Sequence, residues 1–315
     1  MQLARSVITT FLLFVAAAAS AQPVIQKLGT LECDMVEAAP VVFHGKLYRF
    51  EYVRADYKYN AMGRTYFRFT DPDSREIVSP AFGLDHHLGS AFVDGDTVYV
   101  FGVPKWGADR IRSWSSKDLK NWKALPSFVL DGWSIFNTNV CKGPDGYIMA
   151  IEIDKPVDQA GAAFTTRFAR SKDLVTWTIT EPDCVYTKER YDACPTIRFY
   201  DGQYYMIYLA SYPGKWEPEI VRSRDLKTWE LSRFVPIMHH SDEDRKIANQ
   251  NLNAAERKRI ATAENANNSD LDFTEFNGKT VIYYSWGNQH GVEHLAEAVY
   301  EGSEKDFLMG FFPSK

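Results

Sequence analysis

Ser116-Lys117-Asp118-Leu119-Lys120-Asn121-Trp122, Ser171-Lys172-Asp173-Leu174-Val175-Thr176-Trp177 and Ser223-Arg224-Asp225-Leu226-Lys227-Thr228-Trp229 are three copies of one pattern, S-[KR]-D-L-x-x-W. Their starts are 55 and 52 residues apart, and each follows a β-like run. The Ser-x-Asp portion reads as a tight turn held by local side-chain hydrogen bonds, after which Leu and Trp pack back onto the sheet. Recurrence at this interval marks one supersecondary unit used repeatedly.

A second repeat runs in phase with the first. Five segments pair two apolar strands across a Gly-containing turn: Pro40–Phe50, Ser90–Phe101, Val140–Ile151, Pro195–Tyr208 and Leu271–Tyr284. The turns read His44-Gly45, Asp94-Gly95, Asp145-Gly146, Asp201-Gly202 and Asn277-Gly278. Asp-Gly and Asn-Gly are the strongest short hairpin signals. Glycine spacings of 50, 51, 56 and 76 residues match a four-stranded propeller blade. The expected fold is all-β, a single five-bladed β-propeller over residues 22–315. The long fourth interval requires an insertion before the last blade. Asp242 to Thr262, polar and rich in Ala, Glu, Lys and Arg, supplies a helical one, with Ser241 or Asp242 as its cap. It either decorates the surface or lies over one face as a lid.

The N-terminus predicts export. A short basic start (Met1 to Arg5), an apolar run from Val7 to Ala19 and small residues Ala19-Ser20-Ala21 make a cleaved signal peptide over residues 1–21. The mature chain is then secreted or periplasmic, with no later apolar stretch long enough to span a membrane. Net charge is −5 without a basic block, which argues against a nucleic-acid partner. Eight Trp, 17 Tyr and 20 Phe suit sugar-stacking surfaces and blade cores equally. Cys33, Cys141, Cys184 and Cys194 form no CxxC pair, so no zinc site is expected; free thiols and three disulfide pairings all remain open. Nothing in the sequence sets the oligomeric state.

In a propeller the residues that precede each innermost strand converge on the axis. Those positions hold Glu37 in blade one, Asp85, His86 and His87 in blade two, and Asn137, Thr138 and Asn139 in blade three. Blade four offers Arg190, Tyr191 and Asp192, and blade five offers Asn267 to Asp270 together with Asp272. Carboxylates beside apolar strands are costly unless paired or useful. Glycoside hydrolysis needs two of them, one protonated and one ionised. Glu37, Asp270, Asp272 and Asp192 are therefore the catalytic candidates. His86, His87, Asn137, Asn139, Arg190, Arg198, Trp286 and Gln289 are the substrate-binding candidates, the arginines for an acidic sugar and Trp286 as one of three stacking platforms with Trp106 and Trp133. Asp192 has an alternative role as a turn cap before Cys194-Pro195.

On its strand-turn-strand blades and S-x-D-L-x-x-W repeats, the mature chain resembles the five-bladed β-propeller glycosidases of glycoside hydrolase families 43, 32, 62 and 117. The resemblance implies a funnel-shaped active site with carboxylates from separate blades, acting on plant or algal poly- or oligosaccharides, commonly with inversion. It implies no required cofactor and allows a structural calcium in the central channel. Family 117 relatives imply a His in the acid role, for which His86 and His87 stand. Two positions depart from the pattern. The acid expected before Pro40 is Ala39, with Glu37 two residues earlier on the same face. The Glu-Cys-Pro of family 32 reads Ala193-Cys194-Pro195, with Asp192 adjacent. Asp272 sits six residues before Gly278, the offset of Ala39 before Gly45, so blade five is placed to hold the acid that blade one lost. These losses keep a rival reading open, a non-catalytic glycan-binding propeller. A third is a related glycoside phosphorylase, with Arg190 and Arg198 as the basic groups for phosphate, or a polysaccharide lyase that leans on His86, His87 and Tyr191.

Overall fold

A computed structural model of the protein describes residues 22–313; the signal-peptide reading of residues 1–21 lies outside them. Five antiparallel blades follow one another around an axis. Their innermost strands are Ala38–Phe43, His87–Asp94, Ser134–Gly143, Ala193–Tyr200 and Asn267–Phe276. Each turns back through its hairpin into a second strand, Lys46–Val53, Thr97–Val103, Gly146–Lys155, Gln203–Tyr212 and Lys279–Gly287. Three hairpins place both central residues at positive φ: His44 and Gly45 at 49° and 73°, Asp201 and Gly202 at 48° and 74°, Asn277 and Gly278 at 53° and 76°. That conformation matches the twist of the flanking strands and explains the Gly at every turn.

The S-x-D-L-x-x-W turns work as expected. Asp118 Oδ1 accepts the Lys120 and Asn121 backbone N–H at 2.9 and 2.8 Å, and Asp173 and Asp225 do the same in their blades. These charge-assisted bonds offset the cost of holding Leu119, Leu174 and Leu226 at φ of 61° to 63°, and all three leucines are buried. The Trp122, Trp177 and Trp229 indole N–H groups then donate back to those leucine carbonyls. Blade one lacks the motif, and its outer edge is reduced to isolated bridges, Thr70 with Ile77 and Phe67 with Phe82.

The ring closes with a strand not expected from the sequence. Gln26–Cys33 pairs antiparallel with Glu293–Tyr300 and becomes the outermost strand of the last blade. The insertion braces this closure at the periphery. Its 3-10 turn, Asp242–Arg245, and its helix, Ala254–Thr262, are capped by the Asp244 carboxylate on the Ser241 N–H and by an Asn253–Glu256 capping box. Lys246 and Ala248 bond the Thr30 backbone, and Ile237, Leu252 and Ile260 join the core between blades four and five. The four cysteines are free thiols, and no described helix is long and apolar enough to cross a membrane.

Candidate active site

Just inside each innermost strand from blade two to blade five the pairing register slips: His87/Ser90, Ile135/Thr138, Ala193/Thr196 and Ser269/Asp272. Such a bulge re-aims one side chain. Leu88, Cys194 and Asp270 stand at the slips with φ of 53°, 49° and 50°, and Glu37 takes 50° one residue before the blade-one strand. Glu37, Asn137, Cys194 and Asp270 thus ring the mouth of an axial pocket, and Ala39, Ser90, Asn139, Thr196 and Asp272 line it below.

Three charged side chains reach the same mouth from second and third strands. Arg54 follows the second strand of blade one; its Nη2 lies 3.3 Å from both Glu37 carboxylate oxygens. Glu152, on the second strand of blade three, accepts hydrogen bonds from Asn137 Nδ2 at 2.9 Å and the Cys194 N–H at 2.8 Å. Glu293 opens the third strand of blade five, with Asn267 Nδ2 at 3.5 Å. Asp270 accepts from Ser269 Oγ at 2.7 Å.

Glu37, Glu293 and Asp270 share Arg54 in little solvent, Glu152 lies near Asp270 without that arginine, and the proton affinities follow. Burial pushes Glu37 up to about 8, against the pull of Arg54 and with the negative charges of Asp270 and Glu293 adding to the rise. Burial, with Asp270 contributing, also raises Glu293 and Glu152 to about 7 each. The pocket therefore holds carboxyl groups that keep protons near neutral pH, the condition for a general acid. Aromatic rings rim it: Trp106, Phe136, Phe164 and Tyr191 succeed one another edge to face at 6.4, 5.0 and 5.9 Å. Trp106 is 53% exposed, with the Arg54 guanidinium 6.0 Å from its ring.

The other sequence candidates fall in different places. Asp272 and Asn139 lie one layer deeper. Asp272 pairs with Arg198 at 2.6 Å, and Asn139 bonds both of them, so the pocket floor is a closed polar network. The Arg198 guanidinium there supplies the positive charge that a channel cation would otherwise bring to these oxygens. It therefore pairs with protein oxygens and leaves no free fork for an acidic sugar.

Asp192 is fully buried. Its Oδ1 accepts the Thr166 N–H at 2.9 Å and its carbonyl accepts the Thr166 hydroxyl, a latch between blades three and four behind Glu152. Arg190 turns away from the axis to the Tyr186 and Tyr208 hydroxyls and Glu219. Trp286 has no exposed surface; its indole N–H donates to Thr30 Oγ1 at 2.9 Å under the insertion, so it offers no face to a ligand. His87 is half-buried, with Nδ1 2.7 Å from the Tyr52 hydroxyl beside Arg54, whereas His86 packs edge-on against Trp114. Burial lowers the proton affinity of both. Gln289 sits at φ 58° in the turn before Glu293.

Sequence reading missed Arg54, Glu152 and Glu293. Glu152 carried a signal: it is the one acid in the apolar run Tyr147–Ile153. The other two carried none within their own segments.

Comparison with protein families and with curated proteins finds no match. Solved structures do match in fold. A family 62 α-L-arabinofuranosidase from Podospora anserina, solved with cellotriose, superposes with a TM-score of 0.59 at 9% identity over 90% of this chain and 97% of its own. A glycoside hydrolase gives 0.59 at 13% identity over 88% of this chain and 92% of its own. The family 43 protein BlXynB of Bacillus licheniformis gives 0.57 at 13% identity over 86% of this chain and 53% of its own. The fold is that of the five-bladed β-propeller glycoside hydrolases, reached here by a sequence far diverged from those three.

Proposed function

We propose that this protein is an exported glycoside hydrolase that acts on a plant or algal poly- or oligosaccharide at the axial pocket. The observation that carries the reading is the meeting of Glu37 and Asp270 in one rimmed pocket, with burial raising Glu37 to about 8. Glu37 gives its proton to the glycosidic oxygen as the bond to the anomeric carbon breaks. Asp270 takes a proton from the water that adds to that carbon. Glu293 helps burial hold the Glu37 proton affinity high, Glu152 fixes Asn137 and the Cys194 backbone at the mouth, and Arg54 orients Glu37. The aromatic rim around Trp106 receives the sugar faces.

The test is hydrolysis of a panel of plant and algal oligosaccharides by the mature protein, Glu37→Gln and Asp270→Asn. Both variants should lose at least about a hundredfold in kcat while remaining folded. An aryl glycoside with a good leaving group should restore Glu37→Gln alone, because only the acid's work is then dispensable. Ala39, which lines the pocket where the family resemblance implies an acid, favours a second reading, a glycan-binding propeller. Glycan binding without any cleavage, unchanged in both variants, would establish that reading instead.

A further inference from the structure

A second cavity of about 670 Å³ opens on the same face, between blades two and three. It is lined by the Pro104–Arg110 loop of blade two and by Gly132, Trp133, Ser134 and Lys155 of blade three. Its charge is opposite to that of the axial pocket. Lys105, Arg110 and Lys155 face Asp109 as the lining acid, and Asp109 is already paired with Arg110 at 2.7 Å; Asp131 stands near Arg110 from outside the lining. Among the described residues neither Lys105 nor Lys155 makes an ion pair or a side-chain hydrogen bond. The two regions meet at Trp106. That residue lies between Lys105 and Gly107 of the cleft wall, while its ring stands beside Arg54 and Phe136 of the pocket.

We propose that this cleft binds an anionic sugar of the substrate, carrying a carboxylate or a sulfate ester, while the axial pocket takes the neutral sugar linked to it. The inference rests on the glycosidase reading of the pocket. Burial already makes negative charge costly among the carboxyl groups of the pocket, and Glu37, Glu293 and Glu152 hold protons near neutral pH for that reason. A uronate or sulfate would meet the same cost there. Two unpaired lysines beside a half-buried indole attract the same groups a short distance outward. The sign change along the channel thus sets the direction in which a mixed neutral and acidic glycan lies.

Calorimetric titration of the mature protein with pentagalacturonate, a sulfated carrageenan oligosaccharide of matched length and cellopentaose tests this without requiring turnover. At least one anionic oligomer should bind several-fold more tightly than cellopentaose at low salt, and the advantage should shrink at physiological salt. The double variant Lys105→Gln/Lys155→Gln should weaken that binding about tenfold and leave cellopentaose unchanged. Preference for pentagalacturonate assigns the carboxylate, and preference for the carrageenan assigns the sulfate ester. Equal binding of charged and neutral oligomers, or a double variant that binds like wild type, overturns the proposal. Failure of hydrolysis alone, with this binding pattern intact, would instead count against the glycosidase reading.

Discussion

Arg54 Nη2 is equidistant, at 3.3 Å, from the two carboxylate oxygens of Glu37, and its charge also acts on Glu293 and Asp270 at the pocket mouth. The pair is buried unequally: 28% of the Arg54 side chain is exposed against 8% of that of Glu37. Arg54 pulls the Glu37 proton off, while burial, Asp270 and Glu293 hold it on, and burial is the largest of these influences. The balance makes Glu37 tunable from its neighbours.

The pH profile should report that balance. An acid raised to about 8 is competent below that pH, so kcat/KM should fall as pH rises through it. Arg54→Met removes the lowering influence, so the alkaline limb should move to higher pH even as the rate drops. A limb that stays fixed in Arg54→Met would remove Glu37 from the acid role.

Glu152 makes a stability prediction of definite sign. Its folded value of about 7 exceeds the ordinary 4.5, so the folded state holds the proton more tightly than the unfolded chain. Its contribution is fully present below about 4.5 and is lost as pH rises to about 7. Glu152→Gln keeps an oxygen to accept from Asn137 and Cys194 and carries no such dependence. The variant should therefore gain on wild type across that window, by a few kcal/mol at most, in denaturant titrations at pH 4.5 and 8.

Trp106→Ala should raise KM several-fold and leave kcat nearly unchanged. The ring borders the pocket and is half exposed, but no carboxylate depends on it for position. Loss of kcat at constant KM would contradict a platform role.

The closing strand depends on a buried ion pair. Lys27 Nζ lies 2.6 Å from Asp244, with side chains 5% and 0% exposed, and it also donates to Asn268 Oδ1. Lys27→Met leaves the Asp244 charge with only the Tyr284 hydroxyl, Asn265 and the Ser241 N–H as donors. A loss of about 3 kcal/mol is expected in urea unfolding. A comparable stability in the variant would show that the insertion does not clamp the ring.

Asp173→Ala removes the acceptor of the Val175 and Thr176 N–H groups and should cost about 1 kcal/mol. The turn lies at the end of the blade away from the pocket, so kcat/KM should not change.

What the sequence determined by itself was everything encoded within one blade. A hairpin needs positive φ at two adjacent positions, and an S-x-D-L-x-x-W turn closes on hydrogen bonds spanning three residues. Both therefore appear as local spelling, and their count and spacing set five blades, the inserted helix and the axial positions of Glu37 and Asp270. The tertiary structure decided what crosses between blades. The strand Gln26–Cys33 finds its partner at the opposite end of the chain, with no local turn to announce it. The depth of a side chain along the axis depends on a one-residue slip in register, which places Asp270 at the mouth and sends Asp272 down to Arg198. Glu152, Glu293 and Arg54 reach the pocket from strands behind the innermost ones, because a wedge-shaped ring brings the ends of second and third strands to its mouth. Strand periodicity gives the face a residue occupies; only the packed ring gives the neighbours on that face, and the proton affinities at the pocket come from those neighbours.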